Sequence, residues 1–193
     1  MNKNIIIVVL VVVIFAIGGY FIFMKQGSAP IVSQSENKRP GEFSNGQRYQ
    51  IYQTDNFQVK YPYWPNVDKK NILEPENIKL AVANEGCNFL ISSISIPKGT
   101  TFKDYINQRL QESNNKYDKY GIKITKITKD IKDTSAYIES EFVVNNVAVK
   151  SVSYGYFTSQ GVSYGIAFIA EKNNFDIVCQ PLIKEVIESV KIK

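Results

Sequence analysis

The sequence predicts an α+β fold: an antiparallel β-sheet flanked by helices, placed after an N-terminal transmembrane helix. Short runs of alternating apolar and polar residues, separated by turn residues, indicate strands that pair antiparallel with their sequence neighbours. Two longer stretches repeat their apolar residues with a helical period and are suited to covering a sheet. An uncharged apolar run near the start has the length of a membrane span.

Residues 1–24 are expected to form a single-pass membrane anchor. Residues 5–24 carry no charge, and Lys3 and Lys25 stand on either side of them. Since a backbone in lipid must satisfy its own hydrogen bonds, such a run folds as a helix. A signal peptide cleaved near residues 16–18 is the alternative, although the apolar run continues beyond that point. The very short N-terminal tail favours a C-terminal domain on the extracytoplasmic side.

The rest of the chain divides into a linker and one domain. Residues 25–47 are rich in Gly, Ser, Pro, Asn and charged residues and show no apolar period, which predicts a flexible linker. Residues 48–193 are long enough for one packed domain, and 44% of the chain is hydrophobic. The net charge of +5 is spread over scattered lysines. Because nucleic-acid binders concentrate basic residues on one face, no nucleic-acid partner is predicted.

The domain is predicted to open with four strands. The second of them alternates clearly: Phe57, Val59 and Tyr61 point inward, and Pro62 ends the strand because proline cannot donate to a β-ladder. The four predicted strands cover residues 48–53, 57–61, 78–83 and 87–96.

A helix and a β-meander follow. Thr101 and Asp104 have the spacing of a capping box, which predicts a helix from Thr101 to about residue 115. Asn145 and Asn146 are suited to a type I′ hairpin turn because asparagine tolerates positive φ. The strands of the meander begin at Ile122 and continue over residues 135–144, 147–158 and 162–170.

The last predicted element is a helix that starts at residues 171–174. Apolar residues from Phe175 to Val190 keep a helical period, the pattern of a helix that covers a sheet. Pro181 falls inside this stripe, so a kink is expected there unless the helix begins only at that proline. The predicted order, β-β-β-β-α-β-β-β-β-α, is typical of the α+β class.

The composition excludes much catalytic chemistry. The chain has no histidine, so it contains no Ser-His-Asp or Cys-His pair, and no zinc site of the common types is predicted. Its two cysteines, Cys87 and Cys179, either form one disulfide across a long loop or remain buried free thiols. No catalytic residue, metal site or cofactor is therefore predicted, and an enzyme is not expected.

Glu139 and Glu141 are two residues apart on a predicted strand, so their side chains project from one face. Paired carboxylates can bind Ca²⁺ or serve as an acid and a base. The plainer interpretation is a solvated strand face on which the carboxylates pair with lysines.

Two groups of aromatic residues are candidate binding surfaces. The first lies at the end of a predicted strand and just after it, and is either a stacking platform for sugar or peptide or a plug for the core. The second lies on two strands of the meander and forms either an exposed patch for a partner or a set of cross-strand pairs that stabilise the sheet. The two groups are Tyr61, Tyr63 and Trp64, and Tyr154, Tyr156 and Tyr164.

Two short stretches resemble a known family. Residues 57–64, FQVKYPYW, are similar to the opening strand, proline and tryptophan of the PsbP-like family, and residues 185–191, EVIESVK, are similar to the end of its last helix, before a short terminal strand. The resemblance covers residues 49–193. It implies the α/β/α sandwich that this family shares with the Ran-binding Mog proteins, and a non-catalytic binding or assembly role. The predicted anchor departs from the family pattern, and no photosystem role or metal requirement is carried over.

These observations lead to a functional expectation. The chain is expected to be a membrane-tethered, extracytoplasmic domain without catalytic activity that binds another envelope protein. The alternative is a sensor of a small ligand or glycan that uses its surface aromatics. A third hypothesis, an enzyme that uses carboxylates alone, would require two close acidic side chains in a deep pocket.

Overall fold

The computed structural model of the chain describes residues 41–68, 75–118 and 120–193. The predicted anchor and the predicted linker up to residue 40 lie outside these ranges. Among the described residues, no helix combines the length and the hydropathy that a membrane crossing requires.

Within these ranges the chain forms ten strands and three α-helices, and a short 3-10 turn precedes the fourth strand. The elements are β1 (Gly41–Glu42), β2 (Arg48–Gln53), β3 (Phe57–Pro62), β4 (Ile78–Asn84), β5 (Cys87–Ser95), α1 (Phe102–Asp118), β6 (Ile122–Ile131), β7 (Ser135–Val144), β8 (Val147–Phe157), β9 (Val162–Glu171), α2 (Phe175–Val178), α3 (Gln180–Glu188) and β10 (Lys191–Ile192).

The larger sheet is fully antiparallel and has the strand order β4-β5-β9-β8-β7-β6. The predicted meander from β6 to β9 is confirmed. Asn145 and Asn146 both adopt positive φ, 49° and 66°, in the turn between β7 and β8, as a type I′ turn requires. The antiparallel α+β class follows from this pairing.

The strands at the two ends of the domain form a second sheet, with the order β1-β2-β3-β10. The sequence predicted a single sheet, because each early strand was expected to pair with the next one along the chain. Instead β3 ends at Pro62, and its other edge pairs with the terminal strand β10. This short strand after the last helix is the one that the family resemblance implied.

The fold has three layers, and the larger sheet is the middle one. Helix α1 covers one face through Phe102 and Ile106, beside the sheet residue Phe142, all of which are at most 1% exposed. Thr101 caps the helix as predicted: the Asp104 N–H donates to the Thr101 hydroxyl, and that hydroxyl donates to the Asp104 carboxylate. The small sheet, α2 and α3 together cover the other face.

The folded domain begins before residue 48, where the sequence predicted its start. Gly41 and Glu42 pair with Tyr49 and Arg48, and Phe43 is only 4% exposed. A single buried phenylalanine among polar residues shows no apolar period, so composition alone assigned this hairpin to the linker.

The single predicted C-terminal helix is two helices that meet at Cys179. Pro181 lies in the first turn of α3, where a missing N–H breaks no helical hydrogen bond. The proline therefore begins a helix rather than kinking one, which is the exception that the sequence analysis allowed.

Cys87 and Cys179 form a disulfide in the structure, with their Cα atoms 5.4 Å apart. Cys87 is the first residue of β5, Cys179 separates α2 from α3, and both side chains are fully buried. The bond therefore joins the larger sheet to the helices that cover it, across a sequence separation of 92 residues.

Loss of the disulfide is expected to lower the free energy of unfolding by about 2–5 kcal/mol, since a cross-link over a long loop restricts the unfolded chain. Urea unfolding of the full-length protein in detergent, with and without a reductant, measures this change. The matched control is the double variant Cys87→Ala, Cys179→Ala, which should be less stable than the wild type and insensitive to the reductant. Equal stability of the oxidised and reduced wild type would contradict the prediction.

Candidate functional site

Among the residues that the structure describes, the second covering layer does not extend across the whole larger sheet. One row of directly opposed residues runs across the face beneath that layer, from one edge strand to the other: Thr128, Glu139, Val152, Phe168, Phe89 and Val82. The last four are at most 3% exposed, whereas Glu139 is half-buried and Thr128 is exposed. The cover thus ends over β8, and the same face of β6 and β7 opens to solvent.

We call this uncovered area the open face. It comprises the side chains on the second-layer side of β6, β7 and the adjoining part of β8. Its members are Lys126, Thr128, Asp130, Tyr137, Glu139, Glu141, Lys150, Tyr154 and Tyr156.

A row of tyrosines leads from the core to the open face. Tyr137 and Tyr154 are directly opposed on β7 and β8, with ring centroids 5.3 Å apart and edge-to-face geometry. Tyr156 lies on the same face, 6.2 Å from the buried Phe57 ring. All three tyrosines are half-buried, so each ring is held by the core on one side and offers an edge to solvent on the other.

Acidic and basic side chains alternate beside the tyrosines, in the order Glu139, Lys150 and Asp176. The Tyr137 hydroxyl donates to the Glu139 carboxylate over 2.8 Å. The Lys150 ammonium lies 3.6 Å from Glu139 and 3.8 Å from Asp176, and 4.9 Å from the centroid of the buried Phe175 ring. These contacts fix the side chains at the rim of the cover.

The two candidate carboxylates each have a lysine partner: Glu139 pairs with Lys150, and Glu141 pairs with Lys172 over 2.6 Å. This is the solvated, lysine-paired face that was the plainer interpretation. In the described ranges, no group of three or more His, Cys, Asp or Glu residues has the arrangement of a metal site.

The protonation states on the open face follow from these contacts. Burial raises the pKa of Tyr137 above its ordinary value, and its hydrogen bond to Glu139 raises it further. Burial likewise raises the pKa of Tyr154 and Tyr156. The hydrogen bond from Lys172 lowers the pKa of Glu141. At neutral pH the face therefore presents neutral phenol hydroxyls beside the ionised Glu141 carboxylate.

A shallow cavity of about 180 Å³ lies beside the tyrosine row, where β6 ends and β7 begins. Asp130, Lys132, Tyr137, Tyr154 and Tyr156 line it, together with small residues. The hydroxyls of Tyr154 and Tyr156 make no hydrogen bond to any other residue that the structure describes. Two phenol groups are thus available to a partner at this point.

The first aromatic group does not form a platform. Trp64 and Tyr61 are 9% and 7% exposed and belong to the core between the two sheets, and Tyr61 donates a hydrogen bond to the Gln50 side chain. Only Tyr63 is exposed, at 50%. Trp64 therefore has the environment of a core plug.

The second aromatic group is divided between the core and the open face. Tyr164 is buried, stacks on Phe57 at 4.4 Å and lies 3.0 Å from the Thr54 hydroxyl. Tyr154 and Tyr156 are on the open face, and their neighbour Tyr137 was not among the predicted surface residues. The signal was available, because the predicted turn at residues 145–146 fixes the register that opposes residue 137 to residue 154.

The architecture as a whole defines a class: a PsbP-like fold, with one helix on one face of an antiparallel sheet and a mixed layer on the other. The chain is similar to the solution structure of cyanobacterial PsbP (CyanoP) from Synechocystis sp. PCC 6803, at 16% identity and a TM-score of 0.57, covering 86% of this chain and 100% of that one. The predicted PsbP-like fold is confirmed.

Two further solved structures share less of the geometry. A protein of unknown function from Pseudomonas aeruginosa, described as a putative regulator, is 12% identical, with a TM-score of 0.46 over 75% of this chain and 97% of that one. The Ran-binding protein Mog1p from Saccharomyces cerevisiae is 9% identical, with a TM-score of 0.40 over 82% of this chain and 96% of that one. No family model and no curated protein matches the chain.

The raised pKa of the half-buried tyrosines should make the domain sensitive to alkali. Unfolded tyrosine loses its proton near pH 10, whereas the raised pKa keeps Tyr156 protonated in the folded state. The folded state then binds more protons than the unfolded state above pH 10, so the free energy of unfolding falls as the pH rises. We expect Tyr156→Phe to remove part of this decline, at most about 1.4 kcal/mol per pH unit.

Urea unfolding at pH 9, 10 and 11 measures the decline. The matched control is Tyr63→Phe, on an exposed ring, which should leave the wild-type decline in place. A Tyr156→Phe variant with the full wild-type decline would show that this hydroxyl does not contribute.

Proposed function

We propose that the chain is a membrane-tethered, extracytoplasmic domain without catalytic activity, which binds another envelope protein through the open face. The observation that carries this proposal is the tyrosine row of Tyr137, Tyr154 and Tyr156, held half-buried where the second layer ends. Rigid tyrosines with an exposed edge are favoured at protein interfaces, because they bury much area at little cost in conformational entropy.

The charges around the row suit recognition rather than chemistry. On the open face, Glu139, Glu141 and Lys150 each have an oppositely charged partner at 2.6–3.8 Å, so these three side chains are already oriented when a partner arrives. Ion pairs at the rim of an interface mainly select the partner and its orientation. The open face thus has the arrangement of a binding surface, with the tyrosine row at its centre and charged side chains at its rim.

Two further features support a tethered, extracytoplasmic setting. The uncharged run at residues 5–24 is long enough to cross a bilayer. A buried disulfide that joins two layers of the fold forms and persists in oxidising compartments. A linker after the anchor would hold the domain near the membrane surface, where an envelope protein is at high effective concentration.

Site-specific photo-cross-linking in the native membrane tests the proposal. A photoreactive phenylalanine analogue replaces Tyr154 in the full-length protein, and the control carries the same analogue at the exposed Tyr63, outside the open face. We expect one dominant protein adduct from position 154 and none of that mass from position 63. Mass spectrometry of the adduct identifies the partner.

Three outcomes would contradict the proposal. One is the same adduct from both positions, and another is the absence of any adduct from a protein that is present and folded. The third is digestion of the domain by a protease on the cytoplasmic side of sealed vesicles, since an extracytoplasmic domain would be protected there.

A further inference from the structure

The two edges of the larger sheet differ in how they are covered. At the β4 edge, residues 65–67 lie against the strand, and the Val67 N–H donates to the Ala81 carbonyl. Strand β6 ends the sheet on the other side, and no residue that the structure describes pairs with its outer edge. Unpaired edges invite pairing with another strand, so folded proteins tend to cover or blunt them.

The turn between β6 and β7 fixes which backbone groups of β6 point outward. The Lys132 N–H donates to the Ser135 carbonyl, on the β7 side. Because backbone groups alternate in direction along a strand, Thr128 also directs its N–H and C=O groups toward β7. Ile127 and Lys129 direct theirs to the uncovered edge, where they are available to another strand.

The side chains along this edge carry opposite charges at symmetrical positions. Lys126 and Asp130 lie two residues before and two residues after Thr128, and all three side chains are exposed on the open face. Lys126 forms no ion pair with any residue that the structure describes, and the Glu141 carboxylate opposite it is held by another lysine. Asp130 has an exposed ion pair with Lys132 at 3.7 Å, of the kind that contributes little stability.

We propose that β6 pairs antiparallel with β6 of a second copy of this chain, around a two-fold axis at Thr128. This register opposes Lys126 of each copy to Asp130 of the other, and the two Thr128 side chains to each other. Opposite charges and threonine pairs across antiparallel strands both stabilise a sheet. On either side of the axis, Ile127 of one copy and Lys129 of the other exchange backbone hydrogen bonds.

Charge selects this register over its neighbours. Opposed residues must both direct their backbone groups outward, so the register shifts only in steps of two residues. A step in one direction places Lys126 opposite Thr128, which removes both ion pairs. A step in the other direction places Lys126 opposite Lys132 and Lys129 opposite itself. Lysines on an edge strand deter most pairings, and here one register provides Lys126 with a carboxylate.

The paired segment is short because β6 is irregular before Lys126. The register between β6 and β7 shifts between Ile124 and Lys126, and such a bulge bends a strand away from a straight neighbour. The pairing is therefore confined to about five residues from Lys126 to Asp130. With so few backbone hydrogen bonds, the association depends on the two ion pairs.

The pairing joins two open faces into one surface. A two-fold axis perpendicular to the sheet keeps corresponding faces of the two copies on the same side. A partner with two equivalent sites would then be bound at both, which raises its apparent affinity. The pairing itself does not depend on that partner, because its contacts lie along the β6 edge.

Sedimentation of the full-length protein in detergent micelles measures the self-association. We expect a reversible dimer in the wild type. Lys126→Asp and Asp130→Lys should each weaken it at least about tenfold, because either change opposes like charges on both sides of the axis. An equimolar mixture of the two variants should dimerise again, since each carries the charge that the other lacks. Lys103→Asp makes the same charge change at an exposed position of α1 and should leave the dimer intact.

A single added cysteine tests the register. Non-hydrogen-bonded residues across antiparallel strands have their Cα atoms about 4.5 Å apart, within the range of a disulfide, so Thr128→Cys should link two copies on mild oxidation. The native cysteines are bonded to each other, which leaves the added thiol free. The matched control, Lys126→Cys, places the two thiols about 13 Å apart along the strands and should stay unlinked.

Four results would overturn the proposal. One is a monomeric wild type, and another is self-association that both charge reversals leave unchanged, as association through the residues before the domain would be. The third is a Thr128→Cys variant that stays unlinked on oxidation. The fourth is a Lys126→Cys control that links to the same extent as Thr128→Cys.

Discussion

The central constraint in this fold is that a wide sheet must bury two apolar faces. Helix α1 lies on one face, and the small sheet with α2 and α3 lies on the other. In the described part of the chain, the second cover reaches from β4 to β8 and ends there, so burial falls from Phe168, at 0% exposure, to the exposed Thr128 across one row of residues. The open face is a consequence of this incomplete cover, and the tyrosine row lies at its border.

The cover is held in place by contacts between segments that are distant in sequence. The disulfide joins the start of β5 to the junction of α2 and α3. The Ser189 hydroxyl accepts from the Lys60 N–H, and Ser44 hydrogen-bonds to the Glu185 carboxylate. Lys150 links the sheet to Asp176 of α2. Because these contacts determine where the second layer ends, they also determine which tyrosines remain half-buried.

The sequence was informative wherever one local rule decided the structure. Alternation predicted β2 and β7 with the observed bounds, and the capping box at Thr101 placed α1 within a residue of its start. It was uninformative where distant segments meet. The pairing of β10 with β3, and the burial of Phe43 under a short hairpin, depend on contacts that no local pattern records. Tyr137 was missed because its strand was interpreted through its carboxylates, although the predicted turn already fixed its register against Tyr154.

The proposal that the open face is a docking surface is tested most directly by hydroxyl-radical footprinting of the full-length protein, in the membrane that the proposal assigns to it and after purification. Oxidation of a tyrosine ring reports its access to solvent, and the exposed Tyr63 calibrates the radical dose in both samples. The account predicts that Tyr137 and Tyr154 are oxidised less in the membrane than after purification, while Tyr63 is oxidised equally. Equal oxidation of all three tyrosines in the two samples would contradict it.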